Sequence, residues 1–120
     1  MSWRKAIHCC FAALVLLGAV AHSANAQETG NRVHVIDLKG AIGIASQRQL
    51  TQALDIARRE RSVALIVRLD TPGGLVSATR EMIQEMIAAP VPIVVYVAPS
   101  GARAASAGTF IVYASHIAAM

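Results

Sequence analysis

Three short apolar runs rich in β-branched residues set the terms on which this chain can fold: Val33–Leu38, Val63–Leu69 and Ile93–Val97. Each has the length and composition of a strand, while the stretches between them carry helical periodicity. Leu50, Ala53, Leu54 and Ala57 fall on one face of a helix predicted from an N-cap at Ser46 to about Arg59, with Gln47, Arg48, Gln52, Asp55 and Arg58 opposite. Val76, Thr79, Ile83, Met86 and Ile87 mark a second helix that closes near Ala89, before Pro90. A third runs from about Ala104 to Ser115, and Ile117–Met120 opens a fourth strand. The run Val63–Leu69 is apolar enough to be buried on both faces of a sheet. Strands alternating with helices predict an α/β fold of βαβ units, with a parallel sheet and right-handed crossovers.

The first 26 residues are set apart from this pattern. Arg4 and Lys5 precede an apolar stretch from Ile7 to Ala21, and Ala24-Asn25-Ala26 forms a small-residue cleavage site. This is the signature of a secretory signal peptide; the apolar stretch is about 15 residues, short of the roughly 20 that a spanning helix needs. The expected organisation is therefore a signal peptide over 1–26 and a folded domain over 27–120, opening on a short polar arm from Gln27 to Arg32. Cys9 and Cys10 leave with the signal, so no disulfide framework remains in the rest of the sequence. Without Arg4 and Lys5 the chain keeps nine basic against seven acidic residues. With no basic patch interleaved with aromatics, nucleic acid is not an expected partner. The final run His116–Met120 stops without a cap, turn or polar tail, which reads as a chain that ends inside its domain.

In parallel sheets, ligands sit beyond the carboxyl ends of the strands. Two loops lie there: Asp70-Thr71-Pro72-Gly73-Gly74 and the stretch Pro99–Ser106. Ser106 stands where a strand turns into a helix, near the positive end of the helix dipole and its unpaired N–H groups. It reads either as a cap or packing residue or as a nucleophile. The Gly73-Gly74 pair reads either as a tight turn or as a close approach to a ligand, in which an outward N–H joins that of Ala107 in a two-donor oxyanion hole. Asp70 could orient a substrate, but capping the next turn is the reading favoured here. The Gly-x-Ser-x-Gly elbow is not matched, because Ala104 stands at its first glycine. A base is also missing. His116, ten residues along the expected helix, lies about 15 Å away at 1.5 Å per residue. His34 falls inside the first strand, and Lys39 reads as a solvated lysine.

Leu69–Val76, Ala89–Pro92 and Tyr96–Phe110 together closely resemble the NfeD family, membrane-bound serine proteases of the ClpP class also called stomatin operon partner proteins. The resemblance covers essentially all of residues 27–120. It implies a ClpP/crotonase-like spiral of βαβ repeats, here incomplete. It also implies Ser106 as the catalytic serine, the backbone N–H groups of Gly74 and Ala107 as oxyanion donors, and Asp70 and Gly73 as the supporting loop. The family uses a Ser–Lys dyad, whose lysine belongs past Met120; desolvation lowers its pKa so that it accepts the serine proton. The resemblance implies no cofactor and no metal ion. Apolar segments of membrane-associated polypeptides are the implied substrate, a stomatin-like membrane protein the implied partner, and a homo-oligomer the implied assembly. The family continues into transmembrane helices and, in long members, an OB-fold domain, with the protease domain on the outer side of the cytoplasmic membrane. Without the lysine, residues 27–120 alone are expected to be inactive.

Two alternatives stand beside this one. A non-catalytic scaffold for stomatin-like proteins differs from the enzyme only in the missing lysine. A crotonase-type acyl-CoA enzyme keeps the oxyanion hole but needs neither Ser106 nor a signal peptide.

Overall fold

A computed structural model describes residues 31–120; the expected signal peptide and the start of the polar arm lie outside the described residues. Four strands, β1 (Val33–Lys39), β2 (Ala64–Asp70), β3 (Ile93–Val97) and β4 (Ile117–Ala119), form one sheet in the order β1-β2-β3-β4. Every pairing is parallel, with Val35 beside Ile66, Ile66 beside Val94 and Val94 beside Ile117. Three helices make the crossovers: α1 (Ile44–Arg59), α2 (Val76–Ile87) and α3 (Ala107–Tyr113). Strands added in sequence order, each with a right-handed crossover, bring every helix to the same face of the sheet.

That single face holds the core. Leu65, Val67 and Leu69 of β2 and Ile93 and Val95 of β3 pack with Leu50, Ala53, Leu54 and Ala57 of α1, all of them buried. Met82 and Met86 of α2 and Ile111 of α3 belong to the same cluster. The other face is open among the described residues, which corrects the expectation that the second strand is buried on both sides. Ala64 and Ile66 are half-buried there, and Arg68 is exposed and paired with Asp37 at 2.7 Å. A continuous apolar run does not by itself distinguish a strand covered on two faces from one covered on one.

The helices differ from expectation in two further respects. Ser46 is not the N-cap of α1; Gly43 is. Ser46 lies one turn in and reaches back, its Oγ accepting from the Gly43 N–H at 2.8 Å and donating to the Gly43 carbonyl at 2.9 Å. This is the back-reaching half of a capping box, with serine in place of the usual acid or amide. In α2 the buried stripe is Ala78, Thr79, Met82 and Met86, while Val76 and Ile87 are exposed. The helix carries two apolar stripes at neighbouring angles, and packing on the sheet selects the one through the methionines. Val76 and Ile83 are left to face elsewhere.

Candidate active site

The carboxyl ends of β2 and β3 are joined beyond the sheet by a short ladder of backbone bonds. The Thr71 N–H donates to the Arg103 carbonyl at 2.7 Å, and the Ala105 N–H donates to the Thr71 carbonyl at 3.1 Å. The Asp70 carboxylate accepts from the Arg103 N–H at 3.0 Å. Asp70 thus holds the two loops together by accepting across from Arg103, and does not cap the turn that follows it as expected. On the far side the Ile42 N–H donates to the Gly73 carbonyl and the Leu75 N–H to the Ile42 carbonyl, both at 2.8 Å. The loops that carry Gly74 and Ser106 are therefore tied into one frame with the segment after β1.

Thr71 is the centre of that frame and is fully buried. Its hydroxyl donates to the Gly73 carbonyl and accepts from the Gly73 N–H, both at 3.1 Å. Its methyl sits against Gly108, where an added Cβ would lie 2.6 Å from Thr71 Cγ2. Neither residue is marked out by spacing or residue type; what identifies them is a contact between the loop after β2 and the first turn of α3, far apart in sequence.

The two glycines have separate reasons to be glycine. Gly73 has φ +122°, and a Cβ there would lie 2.9 Å from the Cβ of Ser106. Gly74 lies against the backbone of Ile42, where a Cβ would stand 2.0 Å from the carbonyl oxygen. With the Gly73 N–H taken by Thr71, the Gly74 N–H has no acceptor among the described residues, and neither does that of Ala107 in the first turn of α3. Between them stands Ser106. It is the N-cap of α3, whose start is Ala107 and not Ala104 as expected, and it adopts φ 50° and ψ −110°. A positive φ at a residue with a side chain costs on the order of 1–3 kcal/mol and persists only where the surroundings impose it. Here the ladder on one side and α3 on the other impose it, and Ser106 remains exposed. The turn opens α3 directly, but Ala98–Ser106 separate that helix from β3, so it is a loop-to-helix turn and not the strand-to-helix elbow of the Gly-x-Ser-x-Gly motif.

Gly74, Ser106 and Ala107 share a cleft of about 300 Å³ with Val76, Ile83 and Phe110. None of His34, Lys39 and His116 lines it. His116 is not on α3 at all; the chain turns after the helix, and its Nδ1 accepts from the Ile93 N–H at 3.2 Å, at the opposite end of β3. Lys39 lies with Asp37, Arg68 and Tyr96 around a hollow at the open sheet face. The described residues contain no cluster of His, Cys, Asp and Glu able to hold a metal ion, and no described helix is long and apolar enough to cross a membrane.

No protein-family model matches the chain. Over 90 residues it is 40% identical to a membrane-bound protease of Pyrococcus horikoshii, PH1510; the match takes in 75% of this chain and 20% of that protein. Among solved structures it superposes on a serine-to-alanine mutant of the 1510-N membrane-bound stomatin-specific protease with a TM-score of 0.74 and 39% identity, over 75% of this chain and 44% of that one. A lysine-to-alanine mutant of the same protease in complex with a substrate peptide gives a TM-score of 0.75 at 39% identity, over 77% of this chain and 42% of that one. The chain thus spans a fifth of the length of the curated relative and under half of the solved domains. Within that span, the resemblance read from the sequence and its α/β architecture are borne out.

Proposed function

We propose that this chain, which resembles an N-terminal fragment of an NfeD-type protein, belongs to a membrane-associated serine endopeptidase in which Ser106 is the nucleophile. The observation that carries the reading is the strained Ser106, presented between two N–H groups with no acceptor of their own. Its Oγ attacks a peptide carbonyl, and the oxygen that becomes negative is received by the N–H groups of Gly74 and Ala107. One such donor contributes about 2.7–4 kcal/mol of transition-state stabilisation. The intermediate collapses by breaking the C–N bond, the amine half leaves with the proton that the base took from Ser106, and water then hydrolyses the acyl-enzyme. Asp70 and Gly73 support the serine without touching the reacting atoms.

The proton acceptor is a lysine outside the described residues. The solved forms of the related protease include both a serine-to-alanine and a lysine-to-alanine mutant, the two residue types of such a dyad. From that protease's stomatin specificity we infer a stomatin-like membrane protein as partner and a polypeptide with apolar segments as substrate. The expected signal peptide supports a domain on the outer side of the cytoplasmic membrane, and the family resemblance supports anchoring by further parts of the protein and assembly as a homo-oligomer.

Fluorophosphonate labelling of the full-length protein tests the nucleophile. Wild type is expected to label covalently and Ser106→Ala to lose the label. A folded wild type that does not react leaves the non-catalytic scaffold as the better reading.

A further inference from the structure

The cleft beside Ser106 is apolar along most of its wall, and that makes its one charge conspicuous. Val76, Arg80 and Ile83 lie at i, i+4 and i+7 along α2 and so share one side of the helix; Phe110 of α3 faces them across the cleft. Thr79 also lines it, but its hydroxyl donates to the Leu75 carbonyl at 2.8 Å. Arg80 is the only charged residue in the lining. It is exposed, and neither ion pair among the described residues includes it.

The acids of its own helix do not neutralise Arg80. Glu81 and Glu85 face α1, where they accept from Gln47 and Thr51. The positions three and four residues to either side of Arg80, where a helical partner would stand, are Val76, Ser77, Ile83 and Gln84. An arginine with no ion-pair partner among the described residues therefore lines an apolar cleft together with Gly74 and Ala107, whose N–H groups already favour negative charge. A guanidinium is also well matched to a carboxylate, which it binds through two parallel hydrogen bonds.

We propose that Arg80 makes this cleft a subsite for a carboxylate in an otherwise apolar peptide, next to the bond that is cut. This rests on the endopeptidase reading and adds a charge preference to it. The carboxylate is supplied by an acidic side chain or by the free end of the peptide, and a lysine or arginine in the same place is repelled.

The test uses the full-length protein in detergent and a set of internally quenched apolar peptides. These carry Glu, Gln or Lys singly at each position flanking the cleaved bond; a second set ends at those positions as the free acid or the amide. At one position wild type is expected to cleave the Glu peptide roughly fivefold more efficiently than the Gln peptide at low salt, as kcat/KM, with the Lys peptide poorer still. That ratio falls to about one in Arg80→Gln and inverts in Arg80→Glu. If the preference appears in the free-acid series instead, the carboxylate is that of the chain end. Equal Glu/Gln and acid/amide ratios in wild type and Arg80→Gln overturn the subsite.

Peptide binding to Ser106→Ala, followed by fluorescence anisotropy, separates this proposal from the one beneath it. Charge-selective binding that requires Arg80, in a protein whose Ser106 never labels, keeps the subsite and removes the hydrolase. Labelling at Ser106 without charge selectivity in either assay does the reverse.

Discussion

Thr71 shows how much of the site depends on a side chain that never meets substrate. Its hydroxyl fixes Gly73, which abuts Ser106, and its methyl sets how closely α3 approaches. Thr71→Val keeps the shape and removes the hydroxyl, leaving the Gly73 N–H buried without a partner. The expected cost is about 1–3 kcal/mol, read as a lower denaturation midpoint together with slower fluorophosphonate labelling. Thr71→Ser retains the hydroxyl and is expected to keep the labelling rate. If Thr71→Val labels and unfolds like wild type, the threonine is not what holds Gly73 in place.

At the scale of elements, the contact between α3 and the β2 loop decides where the serine stands. Gly108, the second residue of α3, is buried, and a methyl there would meet Thr71 Cγ2 at 2.6 Å. Gly108→Ala ordinarily favours a helix, yet here it is expected to destabilise by about 1–3 kcal/mol through overpacking and to lower Ser106 labelling. Since Thr71→Ser removes the opposing methyl, the double variant should recover much of the loss. A denaturation-based double-mutant cycle measures that coupling, and strict additivity would place the clash elsewhere. Packing on the sheet turns the methionines of α2 inward and gives Val76, Arg80 and Ile83 to the cleft.

For the molecule as a whole, helices on one face make the two sides of the sheet unequal in energy. Leu65 is fully buried against the helices, whereas the neighbouring Ile66 is only half-buried on the open face. Leu65→Ala is expected to cost about 2–5 kcal/mol, and Ile66→Ala less than half of that, since fewer contacts are lost and no enclosed cavity forms. Chemical denaturation of the full-length protein compares them. Equal losses would mean that chain outside the described residues covers the open face.

The strands, the order of elements, the buried face of α1 and the two loops at the strand ends were legible in the sequence. These depend on local periodicity and turn chemistry, which neighbouring residues carry within a few positions. The likeness of the loop residues to a known family added the reading of Ser106, Gly74 and Ala107, which spacing alone left open between structural and chemical roles. Only the tertiary structure decided which stripe of α2 is buried, that β2 is covered on one face, and that Ser46 caps from inside its helix. It also showed that His116 is engaged at the far end of β3. Thr71, Gly108 and the exposed guanidinium of Arg80 gain their meaning from contacts, or from partners missing, between segments distant in sequence. Such contacts are properties of packing, and no local pattern encodes them.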